Sequence, residues 1–383
     1  MTDSAKRSLR VLPSPAEDEI LDSVISRYHL LSGNHSARET MIELLGSGCE
    51  DIPKFVLGGL DHLCSAVSAC LLGQPEDIVQ NRTLLPVYAL LLQPFQTSRL
   101  VSMARPSQRI GAHVPVLYRG RKVMAADFRL CPCCVEEELS ELGFAYWHRS
   151  HQLIGSNTCH IHGCDLISHC RSCGDALRNR RQFSLPRSNC TSCKKRHLPA
   201  FSYPDAVRRL ARLAREALDL PIRPRDPLLV AAAMQARNQA LVTNGRGRSA
   251  MVQEYSMSYL NNECSIRLNS EKLDYLKHVP REKDPLYIYE IGSFARFADL
   301  LVSVDTLFGS WSAFETETSR CPINSEQHLD HAAINPRSAR QEKTITTATH
   351  FHISASSVSG ITQARVIQNE LTPSVQRETV AIA

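Results

Sequence analysis

The sequence predicts a mainly α-helical, multi-domain protein with one small cysteine-rich β module set between helical regions. Two observations carry this. Apolar residues recur with helical period through the first 110 residues and again after Asp205, and nine of the fourteen cysteines crowd between Cys131 and Cys193. The 383 residues allow two or three domains. The divisions of texture fall at 1–110 (helical, with room for a helix-turn-helix), 111–200 (the cysteine module), 201–316 (helical) and 317–383 (a tail).

In the helical head, residues 12–32 place Ile20, Leu21, Val24, Ile25, Tyr28 and Leu31 on one face, with acids at the start of the helix. Ser36 and Glu39 form a capping box that opens a second helix, ended by Gly46 and Gly48. Further helical patterns occupy about 53–72 and 94–104. Residues 111–130 lose that period, and Val114–Tyr118 and Lys122–Phe128 read as short strands. Beyond the module, helices are expected from Pro204 and Asp205 to Leu218 and from Asp226 and Pro227 to Val242. Residues 251–316 read as mostly helical. From Glu317 onward the only aromatic is Phe351. That composition favours disorder or a loose module, although Thr346–Glu370 has the texture of a helix-turn-helix.

No run approaches the roughly 18 uncharged apolar residues of a membrane span, and Met1–Arg10 lacks a secretory h-region, so the chain is expected in the reducing cytoplasm. Fourteen cysteines there do not make a disulfide framework. Eight ligands fall instead into four pairs, each with two residues between: Cys131 and Cys134, Cys159 and His162, Cys170 and Cys173, Cys190 and Cys193. Such a turn aims two side chains at one ion, and two turns complete a tetrahedron. Sequence order assigns Cys131, Cys134, Cys159 and His162 to one site and Cys170, Cys173, Cys190 and Cys193 to a second with zinc-ribbon spacing. An interleaved pairing needs crossing loops. Mixed thiolate and imidazole ligands suit Zn²⁺, so two structural zinc ions are expected; an iron–sulfur cluster is an alternative for the second site alone. His160 competes with His162, which restores the two-residue gap. Cys133 and Cys164 are left over beside the pairs. Tyr146 and Trp147 read as a wall of the core around the first metal rather than a stacking platform for bases.

Arg171–Glu216 carries twelve basic residues against three acids, +9 in a chain of net +5, so the remainder is −4. Arg178, Arg180, Arg181, Lys194, Lys195, Arg196, Arg208, Arg209, Arg212 and Arg215 are therefore candidate nucleic-acid contacts. The bland alternative is a solvated helix face.

Taken together, LPSPAEDEILDSVISR (Pro15, Glu19, Ser23 and Arg27 in place, Ala16 departing from the usual aromatic), TLLPVYALLL and FRLCPCCVEEELSELGFAYWHRSHQLIGSNTCHIHGCDL resemble the TniQ family of TniQ/TnsD-type target-selection proteins of heteromeric transposons. The resemblance covers roughly residues 10–200. It implies a non-catalytic adaptor that recognises target DNA or docks on an RNA-guided CRISPR effector complex, recruits an AAA+ ATPase, and in one branch forms dimers. Two alternatives are a zinc-ribbon transcription regulator, which shares every residue-level feature, and a zinc-dependent nuclease or deaminase. The second lacks His-Glu-x-x-His and any His-x-Glu before the cysteine pairs.

Overall fold

The computed structural model describes residues 12–48, 58–67, 69–92, 94–107, 123–178, 182–203, 205–243 and 297–320. The chain divides after Cys321, and every described residue belongs to the unit before that point. The readings of Val114–Tyr118 as a strand and of Thr346–Glu370 as a helix-turn-helix lie outside the described residues, as do Cys49, Cys264 and Cys321.

Seven helices build the N-terminal part: α1 Leu21–Ser32, α2 Ala37–Leu45, α3 Leu60–Ala66, α4 Ala69–Leu72, α5 Pro75–Arg82, α6 Leu85–Ala89 and α7 Pro94–Ala104. Ser36 caps α2 by accepting from the Glu39 backbone N–H at 3.2 Å, while the Glu39 carboxylate reaches one residue further back, to the His35 N–H at 2.9 Å. Helix α1 departs from a one-faced amphipathic helix. Its first eight residues, Leu21–Tyr28, are all buried, and Leu31 is exposed. The first two turns are covered by α2 and the Trp147 segment, and in the last turn His29 still bonds Thr40 of α2 at 2.8 Å while Leu30 and Leu31 face solvent.

Helices α5 and α6 have no apolar periodicity long enough to announce them. Pro75 stands at the start of α5, the Asp77 carboxylate accepts from the Gln74 N–H at 2.8 Å, and Pro86 sits in the first turn of α6, so local start chemistry rather than an amphipathic stripe begins both.

The module opens with an isolated bridge, Met124 to Leu153, where the sequence pattern predicts a strand over 122–128. Helix α8, Pro132–Glu141, follows at once. Beyond the module, α9 (Asp205–Ala217) and α10 (Pro227–Thr243) match the expected helices, and α11 (Phe297–Leu307) and α12 (Trp311–Arg320) close the described chain. Helix α12 continues four residues past 316, held by Thr318, whose hydroxyl donates to the Phe314 carbonyl at 2.9 Å. Trp311 packs on Phe314 edge to face and donates its indole N–H to the Leu213 carbonyl at 2.7 Å, locking α12 to α9.

One hydrophobic core runs through all three stretches. It includes Ile25 and Leu44 of the head, Trp147 and Leu153 of the module, and Leu210, Leu301 and Phe314 of the C-terminal helices. A smaller cluster beside it consists of Cys131, Cys134, Cys159 and Cys164, with Cys133 and Leu166 against it. Among the described residues no helix is long and apolar enough to cross a membrane.

Candidate metal centres

The eight expected ligands come together in the pairing by sequence order. Ligand atoms of Cys131, Cys134, Cys159 and His162 all lie within 4.8 Å of one another, as do those of Cys170, Cys173, Cys190 and Cys193. A tetrahedral Zn²⁺ with bonds of about 2.3 Å to sulfur and about 2.05 Å to nitrogen sets ligand edges of about 3.8 Å (S–S) and about 3.6 Å (S–N). In the first group His162 Nδ1 stands 3.5, 3.3 and 3.6 Å from the sulfurs of Cys131, Cys134 and Cys159, and Cys134 is 3.6 Å from Cys159. In the second, Cys170 is 3.7 Å from Cys193 and Cys173 is 3.6 Å from Cys190. Both groups have the dimensions of a tetrahedron about one ion and could hold a metal.

Three of the four ligand pairs share one backbone design. In each, the first cysteine's N–H donates to the carbonyl five residues on (Cys159 to Cys164 2.8 Å, Cys170 to Asp175 2.8 Å, Cys190 to Lys195 2.9 Å), and its carbonyl accepts from the residue four on (Gly163 2.8 Å, Gly174 2.8 Å, Lys194 3.0 Å). That fourth residue needs positive φ, supplied by Gly163 at 68° and Gly174 at 81°, whereas Lys194 adopts 60° at a steric cost. The knuckles also aim backbone amides at sulfur. Amides of Cys173 and Ser172 hold the Cys170 thiol down at about 6, and the amide of Cys193 lowers Cys190.

The fourth pair is built differently. Cys131 is the N-cap of α8, and its sulfur accepts from the Cys134 N–H at 3.4 Å, so a helix N-terminus supplies the positive end of its dipole to the thiolates. This helix is not legible from its mixed sequence PCCVEEELSE. Its three consecutive glutamates each take a separate structural task. Glu136 pairs with Arg196 at 2.6 Å. Glu137 accepts from the His162 ring at Nε2, 2.8 Å away, which fixes the tautomer that leaves Nδ1 free for a metal. Glu138 accepts from the Tyr146 N–H at 3.1 Å and contacts His148 through a very short bond. His160, the competing ligand, instead faces the Ser150 hydroxyl at 3.4 Å.

The 24 residues between the halves of the first site are stitched into the helical head. Trp147 is completely buried, its N–H donates to Ser23 Oγ at 3.0 Å, and its carbonyl accepts from the Ile20 N–H at 3.0 Å, capping the start of α1. Arg149 closes the C-terminal end of α5 by donating to the Gln80 and Thr83 carbonyls at 2.8 and 2.9 Å, and burial lowers its pKa to about 10. Arg129, half-buried, donates to the His151 carbonyl at 2.8 Å and the Leu153 carbonyl at 2.5 Å. Glu19 and Arg27 form a buried two-pronged pair at 3.0 and 2.6 Å, and Arg27 also donates to the Ser14 carbonyl. Glu19, Ser23 and Arg27, visible in the sequence only as a motif, therefore join the first metal region to the head. Burial raises the pKa of Asp22, and the Arg178 guanidinium, 2.5 Å away, opposes that rise.

Residues 10–166 match the TniQ family model. The chain carries a TniQ domain. Its matched residues comprise the helical head and the whole first site, and they end before Cys170. The transposon Tn7 transposition protein TnsD of Escherichia coli is 27% identical over 163 residues, covering 40% of this chain and 31% of that protein. The match thus spans about a third of the relative's length.

The basic candidates have different fates. Arg178 turns inward, its side chain only 5% exposed, paired with Asp22 and lying 4.1 Å over the Phe128 ring. Arg180 and Arg181 lie outside the described residues. Arg215 is largely buried between Asp18, at 3.7 Å, and Asp219, at 2.6 Å, and the Arg208 side chain covers the side of Gly163 where a Cβ would stand. Lys194, Lys195 and Arg196 stand exposed on the last knuckle, and Arg209 and Arg212 are exposed on α9.

Proposed function

We propose that this chain is a non-catalytic target-selection adaptor for transposition, with two structural zinc ions held by Cys131, Cys134, Cys159 and His162 and by Cys170, Cys173, Cys190 and Cys193. The TniQ domain carries the reading, because the matched residues take in both the helical head and the first metal region that head is built around. Both ligand sets are complete with four protein donors, which leaves no open position for an activated water, and the nearby glutamates are engaged in structural contacts. The adaptor recognises target DNA or an RNA-guided CRISPR effector complex and recruits an AAA+ ATPase. Lys194, Lys195, Arg196, Arg209 and Arg212 are the exposed basic residues that would meet phosphate.

Affinity purification of the full chain from cells carrying the transposon, with mass spectrometry of bound proteins and sequencing of bound DNA, tests this reading. Recovery of the ATPase with target DNA or with effector subunits is expected; recovery of promoter DNA with RNA polymerase and no transposition protein would make it a transcription regulator. Reversing charge at Lys194, Lys195 and Arg196 should weaken DNA binding and flatten its dependence on log salt by about 0.9 for each phosphate no longer neutralised. An unchanged slope would return these residues to a solvated surface.

A further inference from the structure

One thiol ligand stands open to solvent. Among the described cysteines Cys173 is the exposed one, with its fellow ligand Cys193 half-buried. In the first centre Cys131, Cys134 and Cys159 are all buried, and the ligand nearest solvent is His162, whose imidazole peroxide leaves intact while it attacks thiolate sulfur. A thiolate bound to Zn²⁺ stays ionised and keeps lone pairs for nucleophilic attack. The exposed ligand also has a partner in place. Cys173 Sγ lies 3.6 Å from Cys190 Sγ on the facing knuckle, and closing by about 1.5 Å brings the pair to the roughly 2.05 Å of a disulfide. The Cys190 knuckle is moreover the strained one, since Lys194 takes φ 60° where the equivalent residues of the other two turns are Gly163 and Gly174. The chain between the knuckles is anchored independently of any ion, by Phe183 in the main core and by the Ser184 carbonyl on the Trp147 indole.

We propose that the second centre is a peroxide-sensitive zinc switch, in which oxidation of Cys173 and Cys190 to a disulfide expels Zn²⁺ while the TniQ domain stays folded. The Cys173 thiolate attacks one oxygen of hydrogen peroxide and breaks the O–O bond, giving Cys173 sulfenic acid and hydroxide. The Cys190 thiolate then attacks that sulfur and displaces a second hydroxide. The two sulfurs together lose two electrons, the peroxide gains them, and both hydroxides take up protons as water. Cys170 and Cys193 are left as two donors, too few to hold the ion. The knuckle released carries Lys194, Lys195 and Arg196, the exposed basic residues proposed to meet phosphate, so an oxidant alters that surface and spares the helical head. The inference rests on the second site holding zinc.

The full chain, purified under reducing conditions, freed of reductant and analysed for zinc, is to be treated with hydrogen peroxide while a chromophoric chelator reports released Zn²⁺. Two ions per chain before treatment and release of one are expected, with unchanged helical circular dichroism and a Cys173–Cys190 disulfide in the peptide map. A dithiol with Zn²⁺ should restore the lost ion. Cys173→His keeps a fourth donor that peroxide does not attack and should slow the release at least about tenfold. Should that variant lack its ion before treatment, trapping of sulfenic acid in the wild-type chain with dimedone decides, because Cys173 is to be labelled ahead of the other six ligand cysteines. Release of both ions together, release of neither, an unchanged rate in zinc-loaded Cys173→His, or first labelling at another ligand overturns the proposal. Fewer than two ions before oxidation overturns the metal reading beneath it.

Discussion

The two candidate metal centres differ in how deeply the structure embeds them. In the first, Cys131 and Cys159 are inaccessible to solvent, and the loop between the halves carries Trp147 and Arg149 into the helical head, where they cap α1 and α5. In the second, Cys173 is exposed and Cys193 partly so, and the two knuckles are held chiefly by their own turns. The second centre's links to the rest include the Arg178–Asp22 pair, the exposed Arg196–Glu136 pair, the Trp147 indole donating to the Ser184 carbonyl at 2.7 Å, and Phe183, which lies between its two knuckles and packs in the main core against His29. The same metal chemistry can thus be the keystone of a core or a clip on a peripheral loop. The surrounding packing decides which.

Breaking each tetrahedron gives the largest contrast. Structural zinc in small modules contributes about 10–16 kcal/mol of apparent binding energy at neutral pH, comparable to or above the roughly 5–15 kcal/mol by which whole domains are stable. Cys159→Ala should therefore unfold the TniQ domain as well as the knuckle, seen as loss of helical circular dichroism and of the cooperative melt. Cys190→Ala should cost one metal ion and leave the helices folded. Equal loss of helicity in the two variants would show that the second centre is as deeply integrated as the first.

The next effect separates buried from exposed ion pairs within the same comparison. Arg27→Met leaves the Glu19 carboxylate, whose side chain is inaccessible, without its partner. Removing one member of such a pair costs about 3–5 kcal/mol. Arg196→Ala breaks the exposed pair with Glu136 and should change stability by less than about 1 kcal/mol. Chemical denaturation of both variants checks the ratio, and similar losses would mean that the second centre leans on its surface link to α8.

What could be read in the sequence follows the range of each interaction. The ligand pairs were legible because a knuckle is a local device: two ligands, a two-residue gap and a residue able to take positive φ lie within six residues of one another. Helices α1 and α9 were legible because apolar residues recur there with helical period, and α10 because Asp226 and Pro227 mark its start. Helices α5, α6 and α8 are short and start on prolines, so little period accumulates. The inward turn of Arg178 was not legible at all. Its partner Asp22 lies 156 positions away in sequence, and a count of charges treats both as exposed. The motif residues Glu19, Ser23 and Arg27 stood between these cases, visible as a pattern whose purpose appears only once Trp147 is seen against α1.

The smallest effect tests whether α8 tunes the first metal as well as framing it. Glu137 accepts from Nε2 of His162 and so holds the imidazole in the tautomer and orientation that present Nδ1 to the three sulfurs. Loss of such a partner lowers metal affinity about 10- to 100-fold. The Glu137 side chain is 59% exposed, so water can replace part of the interaction and the lower end of that range is expected. Glu137→Gln keeps the size and an accepting oxygen but removes the charge. Competition with a chromophoric chelator should show one ion released about tenfold more readily, while the ion of the second centre, which has no histidine ligand, keeps its affinity. If both ions loosen together, the change acts through the stability of α8 and not through the imidazole; if neither does, packing alone orients His162.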